Sequence, residues 1–204
     1  YYSMPRWTTR GTLTLGTRTV PVTGTSWLDR EWSSQSLAKG QAGWDWFGLN
    51  FDAGASFMYY QLRTQAGADP ASEGRWMFSG GANARLRHTD VTLRPLDYWE
   101  SEAGVRYPAR WEISAKVPVH RLPSLGLIAP MHSEPGQSEP GRSASQDEEY
   151  TTVRFVVEPR VPDQLWRGRF EYWEGLTEVR TLDGTRLGAG YVELTGYRDG
   201  VAAP

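Results

Sequence analysis

The sequence predicts an all-β fold, a barrel or a sandwich of short antiparallel strands. Runs with the two-residue alternation of a strand recur along the 204 residues, whereas helical periodicity is almost absent. The 22 glycines, the 13 prolines and an aromatic content of 13% favour many short strands joined by tight turns. The chain is long enough for one large β domain or two small ones.

Predicted strands follow one another at the spacing expected of a barrel or a sandwich. Turn signals separate several of them, at residues 15–17, 52–54, 80–83 and 182–184. One helical turn is expected at residues 33–37. The predicted strands cover residues 1–7, 11–15, 18–22, 24–31, 43–50, 55–63, 75–79, 84–93, 110–117, 153–157, 165–173 and 190–196.

One segment, residues 132–149, differs in composition from the rest. It contains Ser-Glu-Pro-Gly twice and has no aromatic or branched apolar residue. Such a segment cannot bury enough surface to offset the entropy lost on ordering. We therefore expect a flexible surface insertion within a single domain that spans residues 1–204. It is either a tolerated insertion, since long loops cost little, or a lid over a pocket.

Composition and motifs exclude several classes of function. The net charge of −2, mixed along the chain, argues against a nucleic-acid partner. The chain has no cysteine, which removes thiolate metal sites and fits the cytoplasm and the periplasm alike. The three histidines lack metal-ligand spacing, and no phosphate-loop, dinucleotide-binding or serine-hydrolase motif is present. We expect no metal, no cofactor and no membrane span, because no apolar run is long enough.

Chemistry is predicted first in the segment GTSWLDREW, residues 24–32. Side chains alternate between the two faces of a strand, so Trp27, Asp29 and Glu31 would share one face. An indole wall and a second acid favour the neutral form of Asp29, which could then donate a proton to an alkene. Alternatively, Asp29 and Glu31 pair with an arginine such as Arg6 or Arg63 and only satisfy buried charge.

Aromatic residues form three further clusters. Trp44 and Trp46 share one strand face, while Asp45 lies on the other with Phe47. The two indoles form either an aromatic wall for an apolar ligand or part of a core, in which case Asp45 caps a turn or pairs outside the core. The second cluster combines 98–101 with 106–111, and the third combines 172–175 with 190–197. In each of these two clusters an acid adjoins an aromatic residue, and we expect Glu174 and Glu193 to pair with arginines.

Several of these segments, in this order, resemble the lipocalin-like AttH/carotenoid 1,2-hydratase (CrtC-like) family. The resemblance is carried by YYSMPR at 1–6, VTGTSWLDREW at 22–32 and GWDWF at 43–47. It continues at 98–101, 107–111, 172–175 and 190–197, so it spans nearly the whole chain apart from the insertion.

The resemblance implies two packed lipocalin-like barrels with a ligand pocket near their contact, of which this chain is the second. The chain opens at Tyr1 in strand-like sequence without an initiator methionine, so we expect the first barrel to lie outside it. Activities implied by the resemblance are water addition to a carotenoid alkene, hydration of an isoflavonoid prenyl group and pericyclic cyclisation. Asp29 matches the proton-donating acid of the carotenoid hydratases.

The combined prediction is a lipocalin-like antiparallel β-barrel that binds an apolar or amphipathic small molecule. We expect cofactor-free hydration or cyclisation of an alkene or polyene, with Asp29 as the proton donor and Glu31 as the group that tunes the pKa of Asp29. The alternative is a non-catalytic carrier. The predicted ligand-binding residues are Tyr2, Trp27, Trp44, Trp46, Tyr60, Arg63, Trp99 and Trp173.

Overall fold

A computed structural model describes residues 1–34, 37–127, 149–168 and 171–198, and confirms the all-β antiparallel class. No helix in these ranges is long and apolar enough to cross a membrane. Short 3₁₀ helices occupy Ser79–Gly81, His88–Asp90 and Val119–Leu125. The strands are β1 Tyr2–Leu15, β2 Arg18–Arg30, β3 Gln41–Phe51, β4 Ser56–Thr64, β5 Gly67–Ala68, β6 Glu73–Met77, β7 Asn83–Arg87, β8 Val91–Glu100, β9 Arg106–Pro118, β10 Tyr150–Pro159, β11 Leu165–Arg167, β12 Glu171–Arg180 and β13 Arg186–Leu194.

The first strands are longer than predicted. The expected strands 1–7 and 11–15 are one strand, β1, and 18–22 and 24–31 merge into β2, because the two strands pair with each other along their whole length. Of the expected helical turn at 33–37, residues 35 and 36 lie outside the described part of the chain. Residues 132–148 of the expected insertion lie outside it as well.

Eleven strands form one antiparallel sheet with the order β7-β6-β4-β3-β13-β12-β10-β9-β8. The two short strands β5 and β11 extend this path beside β4 and β12. The last strand, β13, returns to pair with β3, which brings two segments about 145 positions apart in the sequence side by side. In the β13–β3 pair Glu193 lies opposite Trp46, and in the β3–β4 pair Tyr60 lies opposite the same tryptophan.

The interior of the sheet is filled with side chains. Phe47, Phe57, Trp76, Trp111 and Phe155 are fully or almost fully buried there and pack mostly edge-on or tilted. This arrangement agrees with the predicted lipocalin-like all-β fold, although no ladder joins the end strands β7 and β8 within the described residues. A side chain connects the strands next to these ends: Trp76 Nε1 of β6 donates to the Lys116 carbonyl of β9 at 2.8 Å.

Strands β1 and β2 form a separate two-stranded hairpin. Its two-residue turn begins at Gly16, whose φ of 60° is the left-handed value that such a turn needs at its first central position. A bulge interrupts β1 between Met4 and Trp7, at the Pro5-Arg6 step, where a proline cannot donate to the ladder.

This bulge anchors the hairpin to the main sheet. One Nη of Arg6 donates to the carbonyls of Phe51 and Ala55 at 2.7 Å each, and its Nε donates to Ser56 Oγ at 3.0 Å. In return, Asn50 Nδ2 donates to the Pro5 carbonyl at 3.0 Å. These bonds hold the first residues of β1 and the last residues of β2 over β3 and β4.

We expect Arg6→Met to loosen the hairpin without unfolding the core. The variant loses the charge-assisted bonds to two carbonyls and a hydroxyl, which contribute more than neutral hydrogen bonds. Hydrogen exchange measured by mass spectrometry should accelerate in β1 and β2 and remain unchanged in β9 and β10. Arg10→Met is the matched control, because Arg10 is exposed on the same strand. Equal exchange rates in both variants would contradict the anchoring role.

Candidate functional site

A cleft of about 460 Å³ lies between the hairpin and the outer face of the main sheet. Its position follows from strand alternation: Trp44 and Trp46 point outward from β3, whereas Asp45 and Phe47 point into the core. Five of the predicted site residues come together here. The lining residues are Tyr1, Trp27, Asp29, Glu31, Trp44, Trp46, Tyr191 and Glu193.

The hairpin supplies one wall of the cleft. Trp27 and Asp29 lie two positions apart on β2, and Trp27 Nε1 donates to Asp29 Oδ1 at 2.8 Å. The Trp27 ring meets the Trp46 ring edge-on, with centroids 5.9 Å apart. Tyr1 lies beside Asp29: burial raises the pKa of its phenol, and the charge of Asp29 and a hydrogen bond to that carboxylate raise it further.

The sheet supplies the opposite wall, and its acid is Glu193. Trp44 Nε1 donates to Glu193 Oε1 at 2.9 Å. Burial is the main cause that raises the pKa of Glu193; the nearby charges of Glu174, Glu31 and Asp29 also raise it, while the indole hydrogen bond lowers it. The prediction that Glu193 pairs with an arginine was wrong, since the side-chain partner of this carboxylate in the described part of the chain is an indole.

Trp46 owes its position to a glycine. A Cβ at Gly48, two positions along the same strand, would overlap the outer carbons of the Trp46 ring. The indole therefore covers the Gly48 backbone, and its Nε1 donates to the Tyr1 hydroxyl at 2.9 Å. The sequence Trp-Phe-Gly thus lets a large ring lie along the sheet rather than stand up into the cleft.

Neither Asp29 nor Glu31 is joined to an arginine or lysine by an ion pair within the described residues. The two arginines named as possible partners are engaged elsewhere. Arg6 holds the hairpin to the sheet, and Arg63 contacts Asp45 in the core. The carboxylates of the cleft are therefore available to a ligand.

Arg63 belongs to the core, which corrects its assignment as a ligand-binding residue. It is 1% exposed, its Nε lies 3.3 Å from Asp45 Oδ1, and its guanidinium lies 3.9 Å from the centre of the Tyr197 ring. Tyr197 Oη donates to Asp45 at 2.7 Å. Burial raises the pKa of Asp45 to about 6, against the opposing effect of Arg63. The ion pair of Asp45 lies inside the core, whereas the sequence led us to expect a turn cap or a partner outside it.

The remaining predicted residues lie outside this cleft. Trp173 is buried, and its Nε1 donates to the Pro162 carbonyl at 2.9 Å, while Trp99 packs against Tyr107 at the edge of the core. Neither lines the cleft. Tyr2 and Tyr60 line a neighbouring cavity of about 710 Å³, and Tyr1 lines both cavities.

Sequence reasoning missed three lining residues, Tyr1, Tyr191 and Glu193, as members of this site. The alternation of Tyr191 and Glu193 with the buried Val192 and Leu194 places these two together on the outer face of β13. This alternation was readable from the sequence. The pairing of β13 with β3, which brings the two residues beside Trp44 and Trp46, was not.

The profile of the AttH-like family matches residues 1–124 of the chain. The chain belongs to the AttH-like family. Among solved structures, an AttH protein of Nitrosomonas europaea superimposes with a TM-score of 0.70 and 27% identity over 96% of this chain and 51% of its own. No curated protein sequence matches.

A second solved structure, kievitone hydratase of Nectria haematococca, shares the fold. It superimposes with a TM-score of 0.61 and 16% identity, over 95% of this chain and 52% of its own. The chain therefore spans about half the length of both solved relatives.

We expect Gly48→Ala to displace the Trp46 indole. The added methyl group overlaps the ring, so the variant should lose about 1–3 kcal/mol of unfolding free energy and change its near-ultraviolet circular dichroism. Gly24→Ala is the matched control, because a Cβ at Gly24 meets nothing within 4 Å. A control effect within about 0.5 kcal/mol is expected. Identical spectra for Gly48→Ala and the unmodified protein would show that this glycine does not position the ring.

Proposed function

We propose that this domain binds an alkene-bearing small molecule in the indole-walled cleft and takes part in its hydration without a cofactor. The observation that carries the proposal is the pair of carboxylates on opposite walls, Asp29 on the hairpin and Glu193 on the sheet. Addition of water to an alkene needs a proton donor and a proton acceptor, and two carboxyl groups can supply both. This reaction class is supported by membership of the AttH-like family and by the shared fold of the solved kievitone hydratase.

Glu193 is the better candidate for the proton donor. Its raised pKa keeps a larger fraction protonated near neutral pH than an ordinary glutamate would have. This revises the assignment of Asp29 that the sequence suggested. Glu31 keeps a tuning role, since its charge is one of the causes that raise the pKa of Glu193.

Asp29 is then the proton acceptor. The Trp27 indole fixes one of its oxygens, and the carboxylate can accept a proton from water. In the proposed reaction, Glu193 protonates one alkene carbon and the other carbon becomes cationic. A water oxygen bonds to that carbon while Asp29 takes one of the water protons. Asp29 then releases this proton to solvent and Glu193 takes one up, so both carboxyl groups regain their starting states and the net reaction is the addition of water.

A cyclisation would use the same donor with an internal nucleophile in place of water. A carrier would use only the aromatic walls and the neighbouring cavity beside Tyr60, without proton transfer. These alternatives differ from hydration in one measurable respect, the incorporation of solvent oxygen into the ligand.

We also propose that an upstream lipocalin-like barrel packs on the far half of the hairpin. From Arg10 to Thr25 every side chain except Val20 and Val22 is exposed, and Leu13 and Leu15 are 52% and 66% exposed. Exposed apolar side chains on a protruding hairpin favour a protein interface. The coverage of about half of each solved relative supports a partner domain of similar size.

Hydration is tested with kievitone in water labelled with ¹⁸O. We expect the product to carry the mass of one labelled water, and Glu193→Gln and Asp29→Asn each to reduce turnover by about 10²-fold or more while ligand binding persists. Glu102→Gln, an exposed acid in the turn between β8 and β9 that does not line the cleft, is the control and should retain full turnover. Bound but unlabelled kievitone would favour the carrier, and full turnover by both cleft variants would refute the acid roles.

The pH dependence provides a second check on the donor. Glu193 donates only when protonated, and its pKa is raised, so turnover should fall as the pH increases through that value. The unmodified protein should show this decline in kcat, and the residual activity of Glu193→Gln should lack it. A decline that persists unchanged in the variant would assign the titration to another group.

The packing of an upstream barrel is tested with Leu13→Asp. In the chain alone this exposed substitution should change the unfolding free energy by less than about 0.5 kcal/mol. With the upstream half present in the same protein, it should destabilise the protein by about 1 kcal/mol or more, because a charge would enter an apolar contact. Leu182→Asp, at a turn with similar exposure, is the control. Equal small effects in the longer protein would contradict this interface.

A further inference from the structure

The cleft presents ring surfaces and hydrogen-bond acceptors to any ligand. Its lining consists of five aromatic residues and three acids, and no Lys, Arg or His side chain belongs to the described lining. Carboxylates in their charged form only accept hydrogen bonds. An anionic ligand would therefore meet like charges with no cationic partner, at a site shielded in part from water.

The indole donors of the cleft are already occupied. Trp27 donates to Asp29, Trp44 to Glu193 and Trp46 to the Tyr1 hydroxyl, at 2.8–2.9 Å. An indole has a single N–H and no acceptor, so each ring has only its π surface left for a ligand. A π surface attracts cations through its quadrupole and is indifferent or repulsive to anions.

Like charges are crowded in this cleft. The carboxylates of Asp29, Glu31 and Glu174 all raise the pKa of Glu193, in addition to the effect of burial. Mutual repulsion of this kind is relieved when positive charge enters. The acids and the rings therefore favour the same type of ligand for two independent physical reasons.

We propose that the cleft selects for positive charge and binds small organic ammonium ions in preference to neutral molecules of the same shape. The proposal rests on the same cleft as the proposed hydration and deepens it, since protonation of an alkene creates a carbocation that these walls would stabilise. It does not depend on turnover. The cleft volume of about 460 Å³ accommodates an ammonium head group with a short organic arm.

Choline and 3,3-dimethyl-1-butanol are a matched pair of probes, equal in shape and different in charge. In ligand-observed NMR titrations of the whole chain, we expect choline to bind at least tenfold more tightly than the neutral alcohol. Glu193→Gln should reduce that ratio severalfold with little effect on the alcohol, and Trp44→Phe should weaken choline less than Trp44→Leu does. Equal affinities of the two probes would overturn the proposal.

Two controls separate charge selection from a general loss of structure. Trp7→Leu removes a tryptophan that is 52% exposed outside the cleft, and Glu102→Gln removes a remote acid; both should keep the full preference for choline. A preference that survives the double variant Asp29→Asn with Glu193→Gln would overturn the role of the acids. A preference for choline with no ¹⁸O incorporation would refute hydration alone, and hydration without that preference would refute charge selection alone.

Discussion

The functional architecture depends on one contact, the insertion of Arg6 between the turn after β3 and the start of β4. The bulge at Pro5 directs this side chain toward the sheet, where it binds two carbonyls and a hydroxyl. Without that contact the hairpin would be held by the Asn50–Pro5 hydrogen bond and by the contacts of Tyr1 and Trp27 with Trp46, and a pair of strands by itself is marginal in water. With it, Trp27 and Asp29 are held above Trp44 and Trp46, and a cleft exists between them.

The same strand, β3, serves the core and the cleft through its two faces. Asp45 is held by Arg63 and Tyr197 on the inner face, while Trp44 and Trp46 lie on the outer face. A buried ion pair of this kind contributes little net stability, but loss of one partner leaves an uncompensated charge, so it restricts the strand to one arrangement. The position of the outer indoles is therefore specified in part by charges on the other face of the sheet.

Local alternation explains what the sequence could predict of the site. It placed Trp27, Asp29 and Glu31 together, and Trp44 with Trp46, because the period of a strand is two residues. The same rule argues against grouping Tyr60 with Arg63, since positions three apart on β4 lie on opposite faces. The contact of Arg6 with residues 51–56 and the pairing of β13 with β3 depend on distant segments, and nothing local in the sequence encodes them.

One physical feature of the cleft links the raised pKa of Glu193 to the proposed preference for positive charge. Carboxylates that are crowded and shielded from water hold their protons more tightly, and for the same reason they attract positive charge. The protonated form of Glu193 would release its proton at the step in which the ligand becomes cationic. The negative charge that remains on Glu193 would then face the positive charge of the carbocation, with indole rings beside both. The cleft therefore favours protonated Glu193 before the transfer and the ion pair of its carboxylate with the carbocation after it. Both effects favour proton transfer to carbon.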